Sequence, residues 1–392
     1  MKAVTWQGHR KVSVEKVEDP RIEEPNDAII KVTSSGLCGS DLHLYETLTP
    51  FMTPGDIVGH EPLGEVVEVG PGAQNLAVGD RVVVPFQIAC GYCWMCERGL
   101  HTQCETTQVT EYGSGAALFG YSKLYGSVAG AQAEYLRVPH ADFGPIKVPH
   151  GPEDDRFLFL SDVLPTAWQA VEYAQIPVDG TLLVLGLGPI GEMATRIALH
   201  RGVRVIAVDL VTERLERAFA RGAEVIDLRD VDDVAEEVRS KTWGRGADSV
   251  VDAVGMEAHG SPMAALAQRA AGMMPKPVAQ AMMQRVGVDR LAALYTAIDA
   301  VRRGGTISIS GVYGGQADPM PMLTLFDKQI ALHMGQANVH RWAGDILPLL
   351  VDDDPLGVEQ FATHHVDLDS APQAYAEFQK KENNTVKVVF RP

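Results

Sequence analysis

Long apolar runs are missing from this sequence. No stretch approaches the ~20 residues that a membrane helix needs, and the opening "MKAVTWQGHRKVSV" alternates polar with apolar residues. Neither a membrane helix nor a secretory signal is therefore expected. Positive charge is also short: 34 Lys and Arg against 51 Asp and Glu leave a formal net charge of -17. That balance argues against a nucleic-acid surface, which needs a basic stripe, and suits a solvated acidic exterior. Internal repeats and low-complexity stretches are absent. Cysteine is scarce, with five in 392 residues. In the reducing, cytoplasmic compartment these features imply, cysteines are metal ligands more often than disulfides.

What is present suits a soluble protein with a sizeable core, at 46% apolar and 22% charged residues. The length allows two domains at the usual ~100–200 residues each. Up to about residue 150, β-rich runs such as "KAVTW", "KVSVEKV", "AIIKVTSSG", "GEVVEVG" and "RVVVPF" alternate with Gly, Pro and Asp turns. From about 165 the pattern becomes strand–helix–strand: "TLLVLG", "PIGEMATRIALHRG", "VRVIAVD", "TERLERAFARG", "EVIDL", "VDDVAEEVRSKTW", "DSVVDAVG", "GGTISISG" and "QIALHMG". Such alternation predicts a doubly wound parallel sheet. The last strand, "TVKVVF", is expected to rejoin the first domain. Between Gly255 and Gly304 lie 48 residues, more than a crossover helix requires. They read as two or three short helices, "VDRLAALYTAIDAVRRG" among them.

The cofactor signal is "VLGLGPIG", residues 184–191, in which Gly186, Gly188 and Gly191 form G-x-G-x-x-G between a strand and a helix. The first glycine permits the tight turn, the second lets a pyrophosphate approach the backbone, and the third lets helix and strand pack closely. The phosphates then sit on the helix N-terminus. Asp209 ends the second strand, eighteen residues after Gly191, where a carboxylate binds both ribose hydroxyls and repels a 2'-phosphate. NAD is thus favoured over NADP. Arg214 either covers the adenine or is surface charge.

Four cysteines, Cys90, Cys93, Cys96 and Cys104, fall within "CGYCWMCERGLHTQC". The spacing suits a tetrahedral zinc with every position filled, hence a structural one. A ferredoxin-type iron–sulfur site shares the C-x2-C-x2-C start but continues x3-C-P, whereas here the gap is x7 and Glu105 follows. The remaining cysteine, Cys38, opens "CGSDLH", and "GHEPLGEVVEVG" follows with His60 and Glu61. Cys38 and His60 with a carboxylate or another histidine would make a catalytic zinc site, which needs three protein ligands and one open position.

In their order and separations, "CGSDLH", "GHEPLGEVVEVG", the cysteine lobe and "VLGLGPIG" resemble the zinc-dependent medium-chain alcohol dehydrogenases. The resemblance covers nearly the whole chain. "LSDVLPTAWQAV" and the long insert look most like the glutathione-independent formaldehyde dehydrogenase branch. The resemblance implies a GroES-like catalytic domain at 1–155 and 335–392. It also implies a Rossmann NAD-binding domain at 156–334 with a helical insert at about 256–300. It makes Asp162 the third ligand of the catalytic zinc, although an N-cap of the helix that follows is the competing reading, and Glu61 a secondary ligand. It casts Ser40 as the relay hydroxyl and His43 as the group that passes the proton on. Thr166, Gly311 and Val312 become nicotinamide contacts, and Pro189 and Ile190 part of the dinucleotide turn.

Two zinc ions per chain, NAD and a small alcohol or aldehyde substrate follow from the same resemblance, as does a homo-oligomer, tetramer rather than dimer. The expected reaction is hydride transfer between that substrate and NAD. A close variant is an aldehyde dismutase with retained NAD, for which the insert would cover the adenine end of the cofactor. A different class, a non-catalytic zinc- and NAD-binding protein, leaves the grouping of Cys38, His60, Asp162, Ser40 and His43 without a reason.

Overall fold

The computed structural model describes residues 1–255, 291–313 and 319–392. The described chain forms two units, Met1–Pro165 with Ala337–Pro392, and Thr166–Gln336. The insert read at about 256–300 lies outside the described residues except for its end.

The first unit is built on strands, numbered in chain order. β1 (Lys2–Gly8) and β2 (Lys11–Lys16) form an antiparallel hairpin. A seven-stranded mixed sheet contains β3 (Ala28–Leu37), β4 (Glu61–Val69), β5 (Arg81–Val83), β6 (Tyr135–Val138), β7 (Ile146–Lys147), β14 (His364–Asp367) and β15 (Val388–Arg391). Its order is β14-β15-β3-β4-β5-β7, with β6 also on β3. The run "RVVVPF" is a strand only as far as Val83, because Pro85 has no N–H for a ladder. β15 pairs antiparallel with β3, so the "TVKVVF" segment does return to this unit. One hydrophobic cluster joins Val4, Trp6, Leu37 and Leu44 to Ala371, Tyr375, Phe378 and Phe390. The C-terminal helix Ala371–Lys380 is thereby packed into the first unit.

The second unit is a parallel sheet of β8 (Thr181–Leu185), β9 (Arg204–Asp209), β10 (Glu224–Asp227), β11 (Ala247–Asp252), β12 (Val301–Ile309) and β13 (Ala331–Met334). The order β10-β9-β8-β11-β12-β13 is the 3-2-1-4-5-6 order of a Rossmann sheet. All five residues of β8 are buried, as a central strand covered on both faces requires. The expected α/β class, a GroES-like domain plus a Rossmann domain, is the observed one.

One expected boundary is wrong. Among the described residues of "VDRLAALYTAIDAVRRG", the helix Ala292–Ala300 ends before Val301, where the sequence pattern has it run on toward Gly304. Val301 instead pairs with Ala247 at the start of β12, and Arg302–Gly305 bulge from the ladder before Thr306 resumes it. Arg302 binds Asp248 across that bulge, and this tertiary pairing overrides the helical pattern.

Candidate metal centres and dinucleotide site

Cys38 stands where β3 ends and the short helix Gly39–Leu42 begins, and His60 immediately precedes β4, whose first residue is Glu61. Asp162 precedes the helix Val163–Tyr173. All four are buried, and one ligand atom from each lies within 4.8 Å of the others. The Asp162 Oδ2 is 3.4 Å from Cys38 Sγ and 3.2 Å from His60 Nε2. These contacts bring the Asp162 carboxylate into one group with the thiol and the imidazole.

Nothing in this cluster except His60 offers positive charge. Burial pushes the Cys38 thiol up to about 11, with Asp162 and Glu61 adding to the effect. Burial likewise raises Glu61, against the pull of Lys387. For His60 burial disfavours the charged ring, yet Asp41 and Asp162 together raise it well above its ordinary value. A thiol, an imidazole and carboxylates gathered out of water in this way fit a divalent cation, which would reverse the repulsion and favour the thiolate.

Sequence reasoning missed Asp41. Its Oδ2 accepts the Cys38 N–H at 2.9 Å, and its Oδ1 is 3.2 Å from His60 Nδ1. Asp41 therefore lies within ion-pair distance of Nδ1 while Nε2 meets Asp162, the placement that outer partners of metal-bound histidines take. The available signal was an acidic residue three positions after Cys38, able to reach back to the backbone N–H. Ser40 Oγ lies 3.8 Å from Cys38 Sγ. His43 is buried at the head of the turn His43–Thr47. Lys387, also missed, is wholly buried against Glu61.

Cys90, Cys93, Cys96 and Cys104 form the second cluster, with no disulfide among them. Cys93 Sγ and Cys104 Sγ are 3.9 Å apart. This is close to the edge of about 3.8 Å for a tetrahedron with ~2.3 Å zinc–sulfur bonds. Backbone N–H groups point at the sulfurs: Cys93 to Cys90 at 3.3 Å, Cys90 to Cys104 and Glu105 to Cys93 at 3.4 Å. Desolvation opposes the Cys93 thiolate, but the N–H groups of Cys96 and Glu105 bring it down to about 6. The lobe is anchored by Asn338, whose Oδ1 accepts from Thr102 N at 3.0 Å and Oγ1 at 3.1 Å.

In the second unit the glycine turn joins β8 to the helix Pro189–His200. Gly186 has φ +82°, and a Cβ on Gly191 would lie 1.8 Å from the Gly186 carbonyl oxygen. A Cβ on Gly188 would meet nothing nearer than Arg214 Nη1 at 3.8 Å, so the space beside the second glycine is open. Pro189 and Ile190 form the first turn of the helix. Asp209 reaches this turn, with Oδ2 accepting from Leu187 N at 2.6 Å and Oδ1 from Leu210 N and Val211 N. Arg214 is buried, with Nη1 3.9 Å from the Asp209 carboxylate, so it is not mere surface charge. Gly311 and Val312 follow β12 and pass close to Gly255, whose N would lie 2.2 Å from a Cβ on Gly311. Thr166 lies on Val163–Tyr173, in the same unit as the other dinucleotide-site residues.

Residues 24–149 match the family described as "Alcohol dehydrogenase GroES-like domain", and 189–275 match "Zinc-binding dehydrogenase". An uncharacterized zinc-type alcohol dehydrogenase-like protein of Bacillus subtilis is 38% identical, with all of both chains covered. A glutathione-independent formaldehyde dehydrogenase of Pseudomonas aeruginosa is 32% identical over 96% of this chain and 94% of its own. Among solved structures, the alcohol dehydrogenase TADH from Thermus sp. ATN1 is 33% identical. It covers all of this chain and 99% of its own, with a TM-score of 0.82.

Proposed function

Because this chain belongs to the zinc-dependent medium-chain alcohol dehydrogenases, an oxidoreductase family, we propose that it transfers a hydride between a small alcohol or aldehyde and NAD. Cys38, His60 and Asp162 would hold a catalytic zinc, and the four cysteines of residues 90–104 a structural one. The observation that carries this reading is the buried meeting of Cys38, His60, Glu61 and Asp162, apart from the four-cysteine cluster. When bound there, zinc supplies a Lewis acid that polarises the substrate oxygen.

The remaining work falls to the chain. Cys38 and Asp162 together offset the charge of a divalent ion and leave a neutral site. Asp41 fixes the His60 ring, while Lys387 keeps Glu61 behind the primary ligands as a secondary one. Ser40 Oγ, next to Cys38, takes the substrate proton, and His43 passes it on. In the second unit, Gly188 opens the backbone to a pyrophosphate, with Pro189 and Ile190 at the helix start. Asp209 accepts from ribose hydroxyls and repels a 2'-phosphate, which supports NAD over NADP, and Arg214 flanks it. Thr166, Gly311 and Val312 would contact the nicotinamide.

The formaldehyde-dehydrogenase relative supports small aldehydes as substrates. The test is a screen of formaldehyde and of primary, secondary and benzylic alcohols, with NAD, with NADP and with no added cofactor. NADH formation with NAD in preference to NADP is expected. Paired alcohol and acid formed without added cofactor would make the enzyme a dismutase, and no turnover in any arm would refute the proposal.

A further inference from the structure

A chain of buried polar side chains leads away from His60 to the C-terminal helix Ala371–Lys380. We propose that Tyr375, acting through Gln132 and Asp41, is a positioning residue for the metal ligand His60. The inference rests on the reading of Cys38, His60 and Asp162 as zinc ligands.

His60, Asp41, Gln132 and Tyr375 are each at most 4% exposed. The Tyr375 hydroxyl donates to Gln132 Oε1 at 2.8 Å, across 243 positions of sequence. Burial, and then the negative charge of Asp41, keeps this phenol protonated well above its ordinary range, so it has a hydrogen to give. With its oxygen committed to Tyr375, the Gln132 amide must turn Nε2 the other way. That nitrogen donates to Asp41 Oδ2 at 3.2 Å and to the Gly36 carbonyl at 3.4 Å. The reverse orientation would set an amide oxygen against a carboxylate, two acceptors with no hydrogen between them. Asp41 and the Gly36 carbonyl, which only accept, set which end of the amide faces them, and the Tyr375 hydroxyl anchors the opposite end at Oε1.

The rest of Gln132 is held in place. Its backbone N–H donates to Val58 O at 3.0 Å, and its carbonyl accepts from Val4 N at 2.8 Å. Gly59, the neighbour of His60, leaves the room its side chain fills: a Cβ there would lie 2.4 Å from Gln132 Cγ. Amide orientation is thus the remaining freedom. Asp41, positioned by Gln132 on one oxygen, presents the other to His60 Nδ1.

Tyr375→Phe removes the hydroxyl and keeps the ring. The measurement is zinc release from the purified, zinc-loaded protein to a colorimetric chelator, in which the four-cysteine zinc serves as an internal control. The variant should lose the Cys38-centre zinc about tenfold faster, within the range for outer partners of metal-bound histidines, while the second zinc leaves at the wild-type rate. Gln132→Leu should accelerate the same phase to the same extent with or without Tyr375→Phe, since the hydroxyl acts through the amide. The cobalt-substituted protein should show a shifted ligand-field spectrum in Tyr375→Phe. An unchanged release rate, equal acceleration of both zincs or additive effects of the two substitutions would overturn the proposal. A wild-type protein that holds only the four-cysteine zinc would instead refute the ligand reading, and the proposal would fall with it.

Discussion

The Lys387 ammonium lies 2.5 Å from the Glu61 carboxylate, and both side chains are fully buried. Lys387 also donates to the Leu37 carbonyl at 3.0 Å. Gly36 makes room for the pair, since a Cβ there would lie 1.9 Å from Glu61 Oε2. Burial works against the ammonium, but the charges of Glu61 and Cys38 raise its pKa overall. Removing one partner of a buried pair leaves an uncompensated charge, at about 3–5 kcal/mol. Lys387→Met should lower the urea unfolding free energy by about that amount, and adding Glu61→Gln should recover most of the loss. A single variant as stable as wild type would show that the pair carries no such weight.

The two glycines after Gly186 should separate folding from cofactor binding. Gly191→Ala places a methyl 1.8 Å from a backbone carbonyl oxygen, so it should lower the melting temperature markedly. Gly188→Ala meets no atom closer than 3.8 Å and should melt like wild type. Its methyl would stand where a pyrophosphate approaches, so NADH should bind at least about tenfold more weakly in a fluorescence titration. Unchanged NADH affinity in Gly188→Ala would place the dinucleotide elsewhere.

His340 offers a pH test. Burial, then His101, holds it down to about 4 from an ordinary 6.5. Its ring packs on Phe143 with centroids 4.3 Å apart, and Nε2 lies 2.9 Å from the Gly144 carbonyl. The unfolded chain binds this proton more readily than the fold does. Stability from this group is therefore complete above pH 6.5 and is lost as pH falls toward 4. His340→Phe should flatten the melting-temperature profile across that interval. A profile of unchanged slope would mean that His340 does not titrate in the fold as described.

Much of the fold is legible in the sequence because its signals are local. The Rossmann sheet announces itself through alternating apolar strands and helices, and the cysteine lobe through spacing within fifteen residues. Cys38 and His60 stand out as paired metal-ligand types, but Asp162 is reachable only through family resemblance, since an acid before a helix reads equally well as a cap. Lys387 in "TVKVVF" looks like one strand residue among others, and nothing local ties Gln132 or Tyr375 to His60. Their roles arise from long-range packing of the C-terminal segment onto the first unit. The β12 start fails for the same reason, because pairing with Ala247 decides it.

Zinc content and turnover of Cys38→Ser, measured beside wild type, test the central claim most directly. The account predicts two zincs per wild-type chain and one in the variant, with an unchanged fold by circular dichroism and no NAD-dependent oxidation. A variant that keeps both zincs, or that reduces NAD at the wild-type rate, would contradict it.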